Sequence, residues 1–141
     1  MAAFSIYLNF DGTTEEAFQF YKSAFGGEFV RVERMNGAPG TEQLPVELQN
    51  KIMYIGLQID KNTILHGTDA MEEMGHPLTV GNNFSIMIET DSKDEATQKF
   101  QTLAAGGQVG MPLQDMFWGA YYGQLTDRYG MQWMVTYNYP A

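Results

Sequence analysis

The chain has 141 residues, one domain's worth at roughly 100–200 residues per domain, and its 8 basic and 17 acidic side chains leave a net charge of −9. That balance excludes nucleic acid as a default partner, because phosphate binding needs a basic patch. Hydrophobic residues at 44% and charged residues at 18% supply a core and exclude a disordered chain. No apolar run reaches the roughly 18–20 residues of a membrane helix, and the opening MAAFSIYLNFDG has neither the basic start nor the apolar stretch of a signal peptide. A cytoplasmic protein with no membrane partner is therefore expected. With no cysteine, disulfides, thiolate nucleophiles and zinc knuckles are excluded, and His66 and His76 are the only imidazoles.

The first element is a strand in which Phe4, Ile6, Leu8 and Phe10 share one face and Ser5, Tyr7 and Asn9 the other. Thr13-x-x-Glu16 has capping-box spacing and predicts a helix start. Ala17, Phe20, Tyr21, Ala24 and Phe25 then form an apolar stripe that covers the greasy strand face, and Gly26-Gly27 stops the helix. Strands are predicted at Glu28–Met35, Ile52–Asp60 and Thr63–Gly67, with a Gly/Pro-rich connection at 36–50 that reads as a flap. After a polar connector the pattern starts again. Phe84, Ile86 and Ile88 oppose Ser85, Met87 and Glu89, Ser92-x-x-Glu95 repeats the capping box, Phe100, Leu103 and Ala104 form a thinner stripe, and Gly106-Gly107 ends the helix. Strands follow at Gln108–Leu113, Trp118–Thr126 and Met131–Tyr139.

The recurrence is a duplication. At an offset of 80, residues 4–30 align without a gap on residues 84–110, with identities at Phe4/Phe84, Ser5/Ser85, Ile6/Ile86, Asp11/Asp91, Glu15/Glu95, Phe20/Phe100, Ala24/Ala104, Gly26/Gly106 and Gly27/Gly107. A weaker echo sets Tyr54–Asp60 on Tyr121–Asp127 at an offset of 67. The fold class is α+β: two βαβββ modules, about 1–70 and 80–141, making one domain at 1–141. Their strands are expected to form a curved, cup-shaped, eight-stranded mixed sheet with helices outside and the site inside.

The segments YLNFDGTTEEAFQFYKSAFGGE, IMYIGLQIDKNTILHGTDA and DMFWGAYYGQLTDRYGMQWMV, which span nearly the whole chain, resemble the PhnB-like branch of the vicinal oxygen chelate superfamily. That superfamily includes glyoxalase I, extradiol dioxygenases, fosfomycin-resistance proteins and bleomycin-binding proteins. The resemblance implies a divalent metal held by about four His, Glu or other oxygen ligands from both modules. Carried over by position, those ligands fall near Ile6 or Tyr7, at Tyr54 where relatives often have histidine, near Ser85, and near Met134. Such a set is poor for a hard or borderline ion, so no metal is expected there.

Other donors are weaker candidates. Glu89 with His66 supplies two ligands only, and His66, Asp69, Glu72, Glu73 and His76 match no ligand spacing and read as a polar connector. His66, placed in a loop after the strand Thr63–Leu65, reads as a hydrogen-bonding residue rather than a general base. The glycines at 106–110 and 25–29 lack the G-x-G-x-x-G arrangement of a nucleotide or S-adenosylmethionine site. A methyltransferase label, which PhnB-like chains have carried, is therefore not supported. The leading expectation is a metal-free binding protein for an aromatic or amphipathic small molecule, with no cofactor and no catalytic residue. Tyr7, Tyr54, Trp118, Tyr122, Met87 and Met134 would supply contact area, and Asn9, Gln58, Ser85, Gln132 and Glu89 orientation. The alternatives are a metal-dependent lyase, isomerase or dioxygenase with a non-standard ligand set, and a scaffold without ligand. A homodimer is expected in each case.

Overall fold

A computed structural model describes residues 2–141. The chain divides into two compact units, one ending at Thr79 and the other running from Val80 to Ala141. The first contains β1 (Ile6–Phe10), α1 (Thr14–Phe25), β2 (Glu28–Arg34), α2 (Val46–Gln49), β3 (Ile52–Asp60) and β4 (Thr63–Asp69). The second contains β5 (Ile86–Glu89), α3 (Lys93–Ala104), β6 (Gln108–Met116), β7 (Ala120–Thr126) and β8 (Gln132–Asn138). The βαβββ order and the α+β class are as the sequence predicts. The eight strands do not form one sheet, however. They make two four-stranded sheets, ordered β1-β4-β3-β2 and β5-β8-β7-β6.

In each sheet the first strand pairs in parallel with the last, and the remaining pairs are antiparallel. A parallel neighbour cannot be reached by a tight turn. The helix carries the chain across the sheet instead, and the β3–β4 or β7–β8 hairpin fills the gap between the first strand and the second. Each helix covers one face. Thr14, Ala17, Phe18, Tyr21 and Ala24 of α1 are buried, above Leu8, Phe10, Ile55, Leu57 and Leu65 of the sheet. The stripe is therefore centred on Phe18, fully buried, rather than on Phe20. Phe18 fits because β4 has a glycine below it: a Cβ on Gly67 would lie 2.5 Å from the Phe18 ring. Phe100 of α3 sits likewise over Gly123 of β7. Phe4, expected on the greasy face, precedes β1 and is 99% exposed.

The helix starts differ. Ser92 accepts from the Glu95 amide at 3.0 Å and Glu95 reaches back to the Asp91 amide at 2.9 Å, one residue earlier than a standard box. Thr13, with φ −114° and ψ 14°, makes no such bond. Its helix is capped from β4: the buried Asp69 carboxylate accepts from the Thr14 amide at 3.0 Å and hydroxyl at 2.6 Å, and its second oxygen takes the Ile52 amide at 2.8 Å. One side chain thus ties α1, β3 and β4 together and supplies negative charge at a helix N-terminus.

Both Gly-Gly stops hold, and their second glycines are needed for close approach, Gly27 with a positive φ as well. A Cβ on Gly27 would lie 2.2 Å from the Gln58 carbonyl oxygen, and one on Gly107 2.3 Å from that of Thr126. The 36–50 connection contains a 3-10 turn at Met35–Gly37 and then α2, which buries Leu48. Trp118, expected in a strand, lies in the turn between β6 and β7, closed by the Gly119 amide on the Met116 carbonyl at 3.1 Å.

Replacing Asp69 by alanine leaves two buried amides and a hydroxyl without their acceptor. It should lower the unfolding free energy by about 3 kcal/mol, and Asp69→Asn by less, in urea titrations followed by circular dichroism.

Candidate functional site

The face of the first sheet that α1 does not cover collects three predicted or half-predicted residues. The parallel register sets Tyr7 of β1 beside His66 of β4, and the antiparallel register sets His66 beside Gly56 of β3. His66 is thus a strand residue, because β4 runs on to Asp69 and does not end at Leu65. The Tyr7 ring stacks on the imidazole with centroids 5.8 Å apart and planes within 13°. Tyr54 comes from two residues earlier on β3, its ring 5.6 Å from His66 and 6.2 Å from Tyr7, and its hydroxyl lies 2.5 Å from His66 Nδ1.

Gly56 makes that reach feasible. A Cβ there would lie 2.8 Å from the Tyr54 hydroxyl and 3.4 Å from Cζ, so the tyrosine ring lies across the space a side chain would fill. Arg31 of β2, in register with Gly56, places its guanidinium 5.4 Å from the Tyr54 ring centroid while pairing with Glu33 at 2.7 Å. A cluster thus crosses all four strands. Tyr7 is half exposed, at 50%. Partial burial, with the neighbouring Tyr54 adding to it, raises the Tyr7 pKa above its ordinary value, against a hydrogen bond with Thr68 that lowers it. Tyr7 therefore stays a neutral phenol at physiological pH. Asn9, in register with Thr68, and Gln58, in register with Ile64, share the face by strand alternation but lie further along it.

In the second unit Met87 of β5 is in register with Met134 of β8, and Met134 with Gln124 of β7. Tyr122 lies in register with Thr136, as does Glu89 from the other side. The Gln124 amide donates to the Tyr122 hydroxyl at 2.9 Å, and Trp118 packs edge-on to Tyr122 at 5.8 Å. Ser85 precedes β5 and is not in the ladder. Gln132, at the start of β8, donates to the Gly81 carbonyl at 3.4 Å.

The registers correct the sequence echo. With His66 matching Met134, Tyr54 matches Tyr122 at an offset of 68, not Tyr121 at 67, and Gly56 matches Gln124. A one-residue slip exchanges the faces of a strand. The expected connector cluster also separates. Asp69 is the helix cap, Glu72 and Glu73 lie in an exposed 3-10 turn, and His76 is exposed beyond it.

The register-adjacent pairs test the metal expectation within each unit. Tyr7 with His66 offers a neutral phenol and one imidazole, and Met87 with Met134 offers two thioethers. Thioethers select soft ions, and a protonated phenol is a weak ligand. These donors do not fit a hard or borderline divalent cation. Sequence reasoning placed the first unit's inner position at Tyr54, read His66 as a hydrogen-bonding loop residue, and gave Arg31 and Gly56 no role. A parallel partner for Tyr7 was the missing signal, since only long-range pairing brings residue 66 beside residue 7.

A family model described as the Glyoxalase/Bleomycin resistance protein/Dioxygenase superfamily matches residues 7–135, and the chain belongs to that superfamily. Among individual proteins it is similar to Protein YjdN of Escherichia coli (strain K12), 27% identical over 139 residues that cover 93% of this chain and 92% of YjdN. Among solved structures it is similar to protein PA1353 from Pseudomonas aeruginosa, 33% identical with a TM-score of 0.86 over 99% of this chain and 100% of that one. It shares the fold of the PhnB protein from Bacillus cereus, at 24% identity and a TM-score of 0.78 over 96% and 99% of the two chains. The PhnB-like resemblance of the sequence is thus met at the level of fold.

Gly56→Ala tests the cluster. The nearest obstruction is the end of a movable side chain, so stability should fall by no more than about 1 kcal/mol. The Tyr54 hydroxyl should nonetheless leave His66, and the imidazole nitrogen-15 shifts should move while those of His76 stay fixed.

Proposed function

We propose that the protein binds an aromatic or amphipathic small molecule on the uncovered face of its first unit, without a bound metal and without transforming the ligand. The observation that carries this reading is the Tyr7–Tyr54–His66 cluster: two phenol rings and an imidazole gathered on a sheet face, with Tyr7 half exposed. Aromatic side chains supply large contact area with few rotamers to freeze, and a few polar atoms among them set orientation. The donor chemistry of the adjacent pairs argues against the metal-dependent alternative on the residues themselves. Second-unit residues Met87, Met134, Tyr122 and Trp118 offer a softer face of the same kind.

Thermal shift against a library of flat aromatic compounds should raise the melting temperature for a subset, by linkage. Tyr54→Ala should abolish that gain while leaving the fold intact by circular dichroism. Elemental analysis of untagged protein should find less than one divalent ion per chain. Stoichiometric Ni, Zn, Mn or Fe that is lost in His66→Ala would favour the enzymatic alternative.

The same reading includes a homodimer, supported by sheet edges left open in each unit and by exposed Val30 and Val32 on edge strand β2. Sedimentation equilibrium should return twice the chain mass, and a monomer at all concentrations would exclude it.

A further inference from the structure

We propose that His66 Nε2 is the polar anchor of the binding face and that it selects neutral aromatic compounds carrying a hydrogen-bond-accepting carbonyl oxygen. This rests on the binding reading above and deepens it. A neutral imidazole has one donor nitrogen and one acceptor. Of the two neutral groups the phenol is the stronger acid, so we assign the Tyr54 hydroxyl, 2.5 Å from Nδ1, as the donor; Nδ1 then accepts and Nε2 carries the hydrogen. If the ring becomes protonated, the same hydroxyl accepts from Nδ1–H, and Nε2–H remains a donor. With that assignment Nε2 is a donor in either state.

No described residue hydrogen-bonds to that nitrogen, and the ring is only partly buried. The ring is held in place on its other sides. Tyr7 stacks against its face, the Tyr54 ring lies over Gly56 beside it, and the Arg31 guanidinium packs over the Tyr54 ring while paired with Glu33. An oriented donor next to a half-exposed aromatic face is complementary to a flat ring with an acceptor oxygen at its edge. An anionic acceptor would meet a protein of net charge −9, with the Arg31 guanidinium beside Tyr54 already paired with Glu33. A neutral carbonyl meets no such opposition.

Two neutral probes of nearly equal size separate the donor from the aromatic surface: 2-acetylnaphthalene, with a carbonyl, and 2-ethylnaphthalene, without one. Both should bind the wild-type protein at pH 8. His66→Phe keeps a stacked ring but removes the N–H, and should lower the ratio of ketone to hydrocarbon affinity about three- to tenfold. Tyr54→Phe should lower it less, and Tyr7→Ala should weaken both probes alike. Because the chain has two histidines, His76→Asn assigns their nitrogen-15 signals, and His66 should be the Nε2–H tautomer, becoming a mixture in Tyr54→Phe.

A ratio unchanged in His66→Phe, or an Nδ1–H tautomer in the wild type, overturns the proposal while the binding reading stands. Failure of both probes to bind the wild type overturns the two together.

Discussion

Everything distinctive about this molecule follows from the parallel pairing of the first and last strands of each unit. Ile6 meets Leu65 and Tyr7 meets His66 across a sequence separation that no hairpin can bridge, and Ile86 meets Trp133 in the same way. The pairing forces a crossover, and α1 or α3 supplies it on one face only. The opposite face is then left to side chains that the core does not use. Tyr7 and His66 are on that face because Leu8, Phe10, Leu65 and Gly67, their neighbours along the strands, are taken up under α1.

The crossover has to be fastened, and the two units do it with different chemistry. In the second unit the fastening is local, a serine and a glutamate within the first turn of α3. In the first it is non-local, a buried carboxylate from the far end of β4. Asp127 plays a comparable part in the second unit. Its oxygens take the Tyr129 and Met131 amides and the Trp133 indole N–H at 2.8, 3.0 and 2.8 Å, closing the β7–β8 turn on a buried ring. Each buried aspartate has several donors, which is the condition under which a buried carboxylate holds a fold together rather than weakening it.

What the sequence made legible was whatever repeats or alternates over short range. The offset of 80, the strand alternation and the Gly-Gly stops all came from neighbouring residues, and they were enough for the module order and the family resemblance. Errors arose where a local rule competed with a distant partner. Thr13 has the right spacing for a cap, but the acceptor at that helix start comes from β4, where Asp69 takes the Thr14 amide and hydroxyl. Phe20 fits a helical stripe, but the hollow above Gly67 admits Phe18. His66 looked like a loop residue because the strand was read as ending at Leu65, when it runs on through Gly67, where a glycine accommodates a ring from the helix above. The candidate site was half legible for the same reason: Tyr7 and Tyr54 follow from parity, whereas the imidazole between them follows from pairing.

The two copies show how one backbone plan yields two kinds of face. Tyr54 and Tyr122 occupy equivalent positions, and in both the hydroxyl needs a partner. In the first unit the next residue on that face is Gly56, so the ring can lie down over the strand and reach across to His66 on β4. In the second unit the equivalent residue is Gln124, which fills that space and bonds the Tyr122 hydroxyl on its own strand. Met134, in the position of His66, then has no polar partner to meet and lies beside Met87 instead. Two differences set the units apart: Gly56 against Gln124 decides whether the tyrosine has room to lie across its strand, and His66 against Met134 whether it meets an imidazole when it does. The polar, oriented donor therefore belongs to the first unit, and the second retains an adaptable thioether and aromatic surface of the kind that packs against ligands of varied shape.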